Sequence, residues 1–296
     1  MERVTYSFII PHKNTPELLQ RCLDSIPYRE DIQIIVVDDN SDEDKKPTIN
    51  CKNVEVILLD AEHAKGAGRA RNVGIEHAKG KWLLFADADD YYTEYLSILL
   101  DKYVNDDITD IVYLNAEMIN EKGDKFSTKI NELIKKYLNG QEYSEMHLRY
   151  GVWTPWSRMV RRDIVEKKQL EYDEIPVCND KMFCLQCSKY AQTMTVESGI
   201  VYMYYKPTNG SQIDHMRNNK SLGALLDVRQ RTISLYNHVG YNPVPSLFGL
   251  VCFSEYSKGL SFSTLVREYK ESLKRSQVNF VTDLNRFLCQ RLRRNT

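Results

Sequence analysis

The sequence predicts an α/β fold, a mostly parallel sheet flanked by helices with a helical carboxyl-terminal extension. Three observations predict it. Continuous apolar runs of strand length stand at Tyr6-Ser7-Phe8-Ile9-Ile10, Ile34-Ile35-Val36-Val37 and Trp82-Leu83-Leu84-Phe85, as strands buried on both faces require. Each run stops abruptly in polar residues: Pro11-His12-Lys13-Asn14, Asp38-Asp39-Asn40-Ser41 and Ala86-Asp87-Ala88-Asp89-Asp90. Helical patterns fill the intervals, and strands alternating with helices indicate parallel pairing.

The elements follow in order. A first strand over about 4–11 leads to a helix over about 16–26, where Leu18, Leu19, Cys22, Leu23 and Ile26 recur at helical spacing. Thr15 is its candidate N-cap and Pro16 its first helical residue. Strands are expected at 32–38 and at Val54-Glu55-Val56-Ile57-Leu58-Leu59, then a helix over about 66–78. Gly80 stands where a left-handed C-terminal cap belongs. A strand at 81–86, a helix from Thr93 to about 104 and a strand at 110–114 complete the alternating part. Glu121-Lys122-Gly123-Asp124 reads as a hairpin turn. Helical segments fill about 130–150 and 180–190, and Val201-Tyr202-Met203-Tyr204-Tyr205 is an aromatic strand ending before Pro207. The remaining residues look helical, broken at Pro243 and Pro245. The division this suggests is an α/β domain over 1–205 and a mostly helical extension over 206–296.

Composition narrows the function. With 42% hydrophobic and 27% charged residues, the 296-residue chain has a globular composition. A formal net charge of -1 provides no global field for nucleic acid. No apolar run approaches bilayer-spanning length and no signal-peptide pattern opens the chain, so the expectation is a cytoplasmic protein. Seven scattered cysteines do not suggest a disulfide framework. Cys184-Leu185-Gln186-Cys187 has CxxC spacing, but no second pair or nearby histidine completes a zinc site, and the two cysteines read as small core residues.

Phe85-Ala86-Asp87-Ala88-Asp89-Asp90 carries three carboxylates within four residues at the end of an apolar run. Like charges so close repel unless a cation or solvent offsets them. A hard divalent cation takes carboxylate oxygens and leaves positions for phosphate oxygens. The competing reading is a solvated acidic loop that caps the next helix. Parallel strands bring their carboxyl ends to one edge of the sheet, where open α/β folds bind ligands. Residues near 11, 39 and 89 therefore converge, which independent loop solvation does not explain.

Four motifs in this order resemble glycosyltransferase family 2: Phe8-Ile9-Ile10-Pro11-His12-Lys13-Asn14, Ile35-Val36-Val37-Asp38-Asp39-Asn40-Ser41, Gly66-Ala67-Gly68-Arg69-Ala70-Arg71-Asn72-Val73-Gly74, and Leu84-Phe85-Ala86-Asp87-Ala88-Asp89-Asp90. The match is close over about the first 100 residues and looser to Tyr205. The resemblance implies the GT-A fold, a Rossmann-like nucleotide-diphospho-sugar transferase architecture. It further implies a nucleotide-sugar donor, a divalent cation (manganese or magnesium), and inverting transfer to a hydroxyl of a saccharide or lipid-linked acceptor in surface polysaccharide synthesis.

The chemistry has three demands. Charge on the leaving diphosphate must be offset, the acceptor hydroxyl must lose a proton, and the nucleotide must be held in register. By resemblance, Asp89 binds the cation and Asp87 faces the ribose or donor sugar. Asp90 is open to a helix-capping role. Asp39 matches the residue that accepts the nucleobase imide N–H, which suits uracil and equally thymine; Asp38 could orient the turn instead. Pro11 and Asn14 match the first nucleotide-binding loop, in which Lys13 replaces the family's usual aromatic residue. Gly66 to Asn72 lacks the third glycine of a dinucleotide fingerprint. It reads instead as a helix amino terminus near the nucleotide, where free N–H groups and Arg71 favour anions; the resemblance places Arg71 and Asn72 near the donor, and the other reading makes Arg69 and Arg71 helix-surface charges. The family's base falls in Val177-Cys178-Asn179-Asp180-Lys181-Met182-Phe183, where Asp180 is the candidate and Asn179 replaces the usual acid. The other reading of Asp180 is an acid at a helix amino terminus.

Trp153 or Trp156 could pack on the C–H face of an acceptor sugar, although most aromatic residues are core. His215 has the position of a late metal ligand in some GT-A enzymes. Arg286-Phe287-Leu288-Cys289-Gln290-Arg291-Leu292-Arg293-Arg294 is basic and partly amphipathic, so it offers either a peripheral contact with the inner face of an anionic membrane or a solvated helix end. Two other functions compete. A sugar-1-phosphate nucleotidyltransferase needs a glycine- and lysine-rich loop after the first strand, which Pro11-His12-Lys13-Asn14 is not. A non-catalytic nucleotide- or sugar-binding relative is kept in view by Asn179.

Overall fold

The structure is a computed structural model that describes residues 4–49, 53–207, 222–242, 245–248, 251 and 261–294. The chain divides into two compact units, one of residues 1–174 with 179–210 and the other of 175–178 with 211–296.

The first unit begins with β1 (Tyr6–His12), α1 (Pro16–Asp24), β2 (Ile32–Asp38), β3 (Val54–Leu58), α2 (Ala67–His77) and β4 (Trp82–Phe85). It continues with β5 (Tyr91–Tyr92), α3 (Tyr95–Tyr103), β6 (Ile111–Asn120), β7 (Lys125–Ser127), α4 (Lys129–Leu138) and α5 (Ser144–Gly151). Then come β8 (Arg158–Arg161), α6 (Arg162–Lys167), α7 (Lys181–Tyr190) and β9 (Met194–Lys206). The sheet runs β3-β2-β1-β4-β8-β6-β9-β5, with β7 added on β6. β1 pairs in parallel with β2 and β4, and β2 with β3. β8 is antiparallel to both β4 and β6, and β6 pairs in parallel with β9.

The apolar runs are the buried strands. Phe8, Ile9, Ile10, Ile35, Val36, Val37, Trp82, Leu83 and Leu84 are fully buried, and burial of this surface is the main force assembling the sheet. Register brings His12 opposite Asp38 and Ile9 opposite Phe85, so the polar ends of β1, β2 and β4 share one edge as expected.

β8 is the strand the apolar pattern hides. It has four residues, begins and ends in arginine, and is wedged between β4 and β6. Arg158 is tolerated there because its guanidinium donates to Cys184 O (2.9 Å), Val152 O (2.8 Å) and Ser188 Oγ (3.1 Å), satisfying a charge that burial would otherwise disfavour.

Two capping expectations are corrected. Gly80 does not adopt a left-handed cap, since α2 ends at Ala78 in extended conformation. Gly80 is required for close approach: a Cβ there would lie 2.5 Å from the Ser7 nitrogen. Thr15 occupies the N-cap position of α1 without a side-chain cap bond; its backbone N–H donates to Nε2 of His12 at 3.2 Å. Cys184 and Cys187 are unpaired thiols in the core, and burial pushes Cys184 up to about 12.

The second unit contains α8 (Leu222–Val239), α9 (Phe262–Ser276) and α10 (Phe280–Arg294). Val177, Leu222, Leu225, Leu226, Ile233, Leu247, Val251 and Tyr269 form its core. Asp283 is buried and accepts from Leu247 N, Phe248 N and the Tyr269 hydroxyl at 2.9, 2.8 and 2.9 Å.

Candidate active site

The strand ends interlock before any ligand arrives. His12 Nδ1 and Asp38 Oδ1 lie 2.7 Å apart with both side chains fully buried. Asp38 also accepts from the backbone N–H (2.9 Å) and hydroxyl (2.5 Å) of Ser41. Ser41 Oγ in turn accepts the Asn14 N–H at 2.8 Å, and Asn14 Oδ1 accepts the Asp42 N–H at 2.8 Å. Asn14 and Asn40 both have φ of 58°, a conformation that asparagine adopts more readily than most residues. Asp38 thus orients the turn, and the Pro11–Asn14 loop is locked to the end of β2.

Asp39, the second acid at this strand end, is buried as well, at 7% exposure. It accepts the Gly66 N–H at 3.0 Å, and Lys13 donates to its backbone oxygen at 2.8 Å with the same ammonium 3.5 Å from Oδ2. A carboxylate has about four acceptor positions, so capacity remains for a ligand N–H. Gly66 has φ of 86°, open to glycine at little cost. That turn aims its N–H at Asp39 as α2 begins.

Arg71, on α2, is buried and ties two loops together. It donates to Asp87 Oδ1 at 2.6 Å and to Asn179 Oδ1 at 3.0 Å, with its guanidinium 5.3 Å from the centre of the Tyr172 ring. Burial works against the charge of Arg71, but Asp87, Tyr172 and Asp180 outweigh it and raise its pKa. Asn72 is committed to backbone: it donates to Tyr172 O at 3.0 Å and accepts the Tyr172 N–H at 2.8 Å. Gly68 lets this loop close in, because a Cβ there would lie 2.1 Å from Asp173 O. Arg71, Asp87, Asn179 and Asp180 are therefore neighbours, although Arg71 and Asn179 are 108 residues apart.

The Asp87–Asp90 turn is held from behind. The Tyr202 hydroxyl accepts the Asp87 N–H at 3.0 Å and donates to Asp90 Oδ2 at 2.7 Å, while the Tyr205 N–H donates to Asp90 Oδ1 at 2.7 Å. Asp90 is fully buried, and Glu94, not Asp90, stands at the N-cap position of α3. Asp90 is thus an anchor for the turn and not a helix cap. Arg21 donates to Asp89 O at 2.5 Å from between the rings of Tyr91 and Tyr205, 5.0 and 4.6 Å from their centroids. Trp156 stacks on Tyr202 at 5.2 Å and on Tyr204 at 5.8 Å, a core position. Trp153 remains partly exposed. Sequence reasoning missed Arg21 and the hydroxyl function of Tyr202, which no local spacing signals.

The electrostatics separate the acids. Burial, then the charge of Asp87, push Asp89 up to about 6. Asp180 is also pushed up to about 6, by burial first and then by Asp87, with Arg71 opposing. Asp180 precedes α7 without capping it. Among the described residues no group of three or more histidine, cysteine or acidic side chains is arranged around a metal position. The fit of a cation rests on the donors: Asp89 supplies a hard carboxylate, and Asp87 stands close enough that its charge adds to burial in raising the pKa of Asp89. Such a pair suits a hard cation that completes its shell with phosphate oxygens. His215 lies outside the described residues.

Tyr202→Phe should keep the ring on Trp156 and leave Asp90 and the Asp87 N–H each lacking one partner. The expected outcome is a loss of about 1–3 kcal/mol of stability. Urea unfolding measures it, and unchanged stability would show that the hydroxyl does not hold the turn.

A mixed sheet, parallel from β3 through β2 and β1 to β4 and antiparallel at β8, with the loop acids Asp39, Asp89 and Asp180, defines the class: a GT-A glycosyltransferase fold. The chain belongs to Glycosyl transferase family 2, whose sequence model matches residues 7–167. It is 24% identical over 245 residues to the uncharacterized glycosyltransferase EpsJ of Bacillus subtilis, covering 79% of this chain and 70% of EpsJ. It is 32% identical over 126 residues to a poly(ribitol-phosphate) beta-glucosyltransferase of Bacillus spizizenii, covering 40% of this chain and 20% of that protein. Among solved structures, Staphylococcus aureus TarS 1–349 in complex with UDP-GlcNAc superposes with a TM-score of 0.60 at 16% identity, over 92% of this chain and 72% of that one. The Pyrobaculum calidifontis mannosyltransferase PcManGT, in complex with GDP-Man and Mn2+, superposes with a TM-score of 0.52 at 14% identity, over 93% and 75%. No described helix is long and apolar enough to cross a membrane.

Proposed function

We propose that this chain transfers a hexosyl or N-acetylhexosaminyl group from a UDP-sugar, with inversion, to a hydroxyl of a saccharide or lipid-linked acceptor in surface polysaccharide synthesis. The observation that carries the reading is the Arg71 bridge, which joins the Asp87 turn to the Asn179–Asp180 loop. The same bridge argues against a relative that has lost its base: Asn179 supplies a neutral acceptor to Arg71, and burial and Asp87 raise the pKa of Asp180 without an acid at position 179.

In this reading the unit built on residues 1–205 carries the chemistry. Pro11 and Asn14 shape the base pocket, and Asp39 accepts the imide N–H of uracil. Asp87, held by Arg71, faces the ribose or sugar, and Asn72 fixes the Tyr172 backbone beneath it. Asp89 holds the divalent cation, which when bound offsets charge on the diphosphate. Asp180 takes the proton of the acceptor hydroxyl as its oxygen attacks the anomeric carbon. The bond to the diphosphate then breaks, and the nucleoside diphosphate leaves with that electron pair. One base and no protein nucleophile imply a single displacement and inverted configuration. In the carboxyl-terminal unit, Phe280, Val281 and Leu288 are exposed on α10, and this apolar exposure supports a peripheral membrane contact.

The test is a donor screen with UDP-, GDP- and dTDP-sugars, manganese or magnesium, and thermal melting. Ligand binding stabilises by an amount set by concentration over Kd. UDP with a cation should raise the melting temperature more than GDP does, and a UDP-sugar should be turned over. Equal shifts with both nucleotides would remove the Asp39 assignment, and no turnover of any donor would remove the enzyme reading.

A further inference from the structure

A carboxylate that reads one N–H of a base must be aimed, and every polar group of Asp39 has a partner. Its backbone N–H donates to His12 O at 2.9 Å. Its backbone oxygen accepts from the Lys13 ammonium at 2.8 Å. Oδ1 accepts the Gly66 N–H at 3.0 Å, and Oδ2 lies 3.5 Å from the same Lys13 ammonium. His12 and Gly66 act here through their backbones. Among the described residues, the side chain that acts on Asp39 is that of Lys13.

The loop brings Lys13 there. It follows β1 directly, and Asn14 then turns the chain with φ of 58°. Ser41 Oγ accepts the Asn14 N–H at 2.8 Å, which fastens the loop to the end of β2. The lysine stem thereby starts beside Asp39, although the two residues are 26 positions apart in the chain. The pair is asymmetric: the Lys13 side chain is 47% exposed and that of Asp39 is 9% exposed. A lysine half in water adds little to folding stability. Its bond to the Asp39 backbone nonetheless fixes where its charge stands. That charge beside Oδ2, with Gly66 on Oδ1, holds the carboxylate from both sides. Holding a binding group in its bound orientation lowers the ordering cost of binding. An aromatic residue, usual in the family at this position, offers a ring face to stack on; lysine offers none. The replacement moves base binding from the face of the base to its edge.

We propose that Lys13 is a positioning residue that holds the Asp39 carboxylate for the imide N–H of the base, so that this chain selects uracil by its edge more than by stacking. The proposal rests on the reading of Asp39 as the acceptor of that N–H. Lys13 acts through Asp39 and takes no part in transfer of the sugar.

The experiment compares UDP with N3-methyl-UDP, which lacks the imide N–H. Binding to the full chain is measured by calorimetry with magnesium present throughout, in the wild type, Lys13→Met and Lys13→Arg. The wild type should prefer UDP by about tenfold or more, as a hydrogen bond to a charged group gives. Lys13→Met removes the charge and the donors but keeps an unbranched stem. It should cut that preference about fivefold, by weakening UDP and leaving N3-methyl-UDP little changed. Lys13→Arg keeps a charge and N–H donors and should keep most of the preference. An unchanged preference in Lys13→Met overturns the proposal. Equal weakening of both nucleotides also overturns it, because a merely structural lysine would not distinguish them. A preference in Lys13→Arg as low as in Lys13→Met overturns it as well. The side chain is half exposed, so both variants are expected to fold. A wild type that binds the two nucleotides alike removes the Asp39 reading and the proposal with it, whereas a wild-type preference that survives Lys13→Met removes only the role of Lys13.

Discussion

Asp180→Asn is expected to lower turnover about a hundredfold or more, within the usual range for loss of a general base, with donor affinity little changed. The amide keeps the size of the side chain but cannot take a proton. Asp180 faces the acceptor in the proposed reaction, so UDP-sugar binding should survive. A pH profile separates base from scaffold. Asp180 must be ionised to act, and burial, then Asp87, set its pKa at about 6; the wild-type rate should therefore fall as pH drops below that value. Asp89 also titrates near 6 in the absence of cation. Saturating manganese holds Asp89 ionised, leaving Asp180 to govern the acid limb. In Asp180→Asn that limb should flatten. Near-normal turnover with an identified acceptor would sink the assignment, as would an α linkage in the product of an α-linked donor.

The legible part of this protein is what burial writes into consecutive residues. β1, β2 and β4 are apolar runs because both of their faces are covered, and their polar ends fall on one edge because parallel strands share direction. Asp39, Asp87 and Asp89 could therefore be placed together from sequence alone. β8 could not, since its four residues begin and end in arginine and its place between β4 and β6 is fixed by pairing, not by pattern. Gly80 was misread for a related reason: its need is close approach to Ser7, a tertiary fact, and not a turn of its own. The tie between the two halves of the site was equally hidden. Arg71 meets Asp87 across 16 positions and Asn179 across 108, and only the folded chain shows why an amide suits position 179. Tyr202 was visible as an aromatic strand residue, but its hydroxyl acts on acids 112 and 115 positions away.

Asp89→Ala should abolish manganese-dependent UDP binding and leave the fold intact. The side chain stands at the sheet rim, partly exposed, and the turn that bears it is fixed by other groups: Arg21 on the Asp89 carbonyl oxygen, Tyr202 on the Asp87 N–H and Tyr205 on Asp90. Truncation at Cβ removes none of these. It does remove a carboxylate held at an unfavourable place. Asp89 binds its proton more tightly in the folded chain, up to about 6 against an ordinary 3.8. By linkage, the stability this gives is present at low pH and lost as pH rises through about 6. Without cation, the variant should therefore melt no lower than the wild type at neutral pH, and it should lack that portion of the pH dependence. With UDP present, manganese should raise the wild-type melting temperature and leave the variant unmoved, because the cation and the diphosphate stabilise each other only where a carboxylate joins them. A variant that keeps the full manganese increment would place the cation elsewhere, and one that melts far below the wild type without ligand would make Asp89 part of the scaffold.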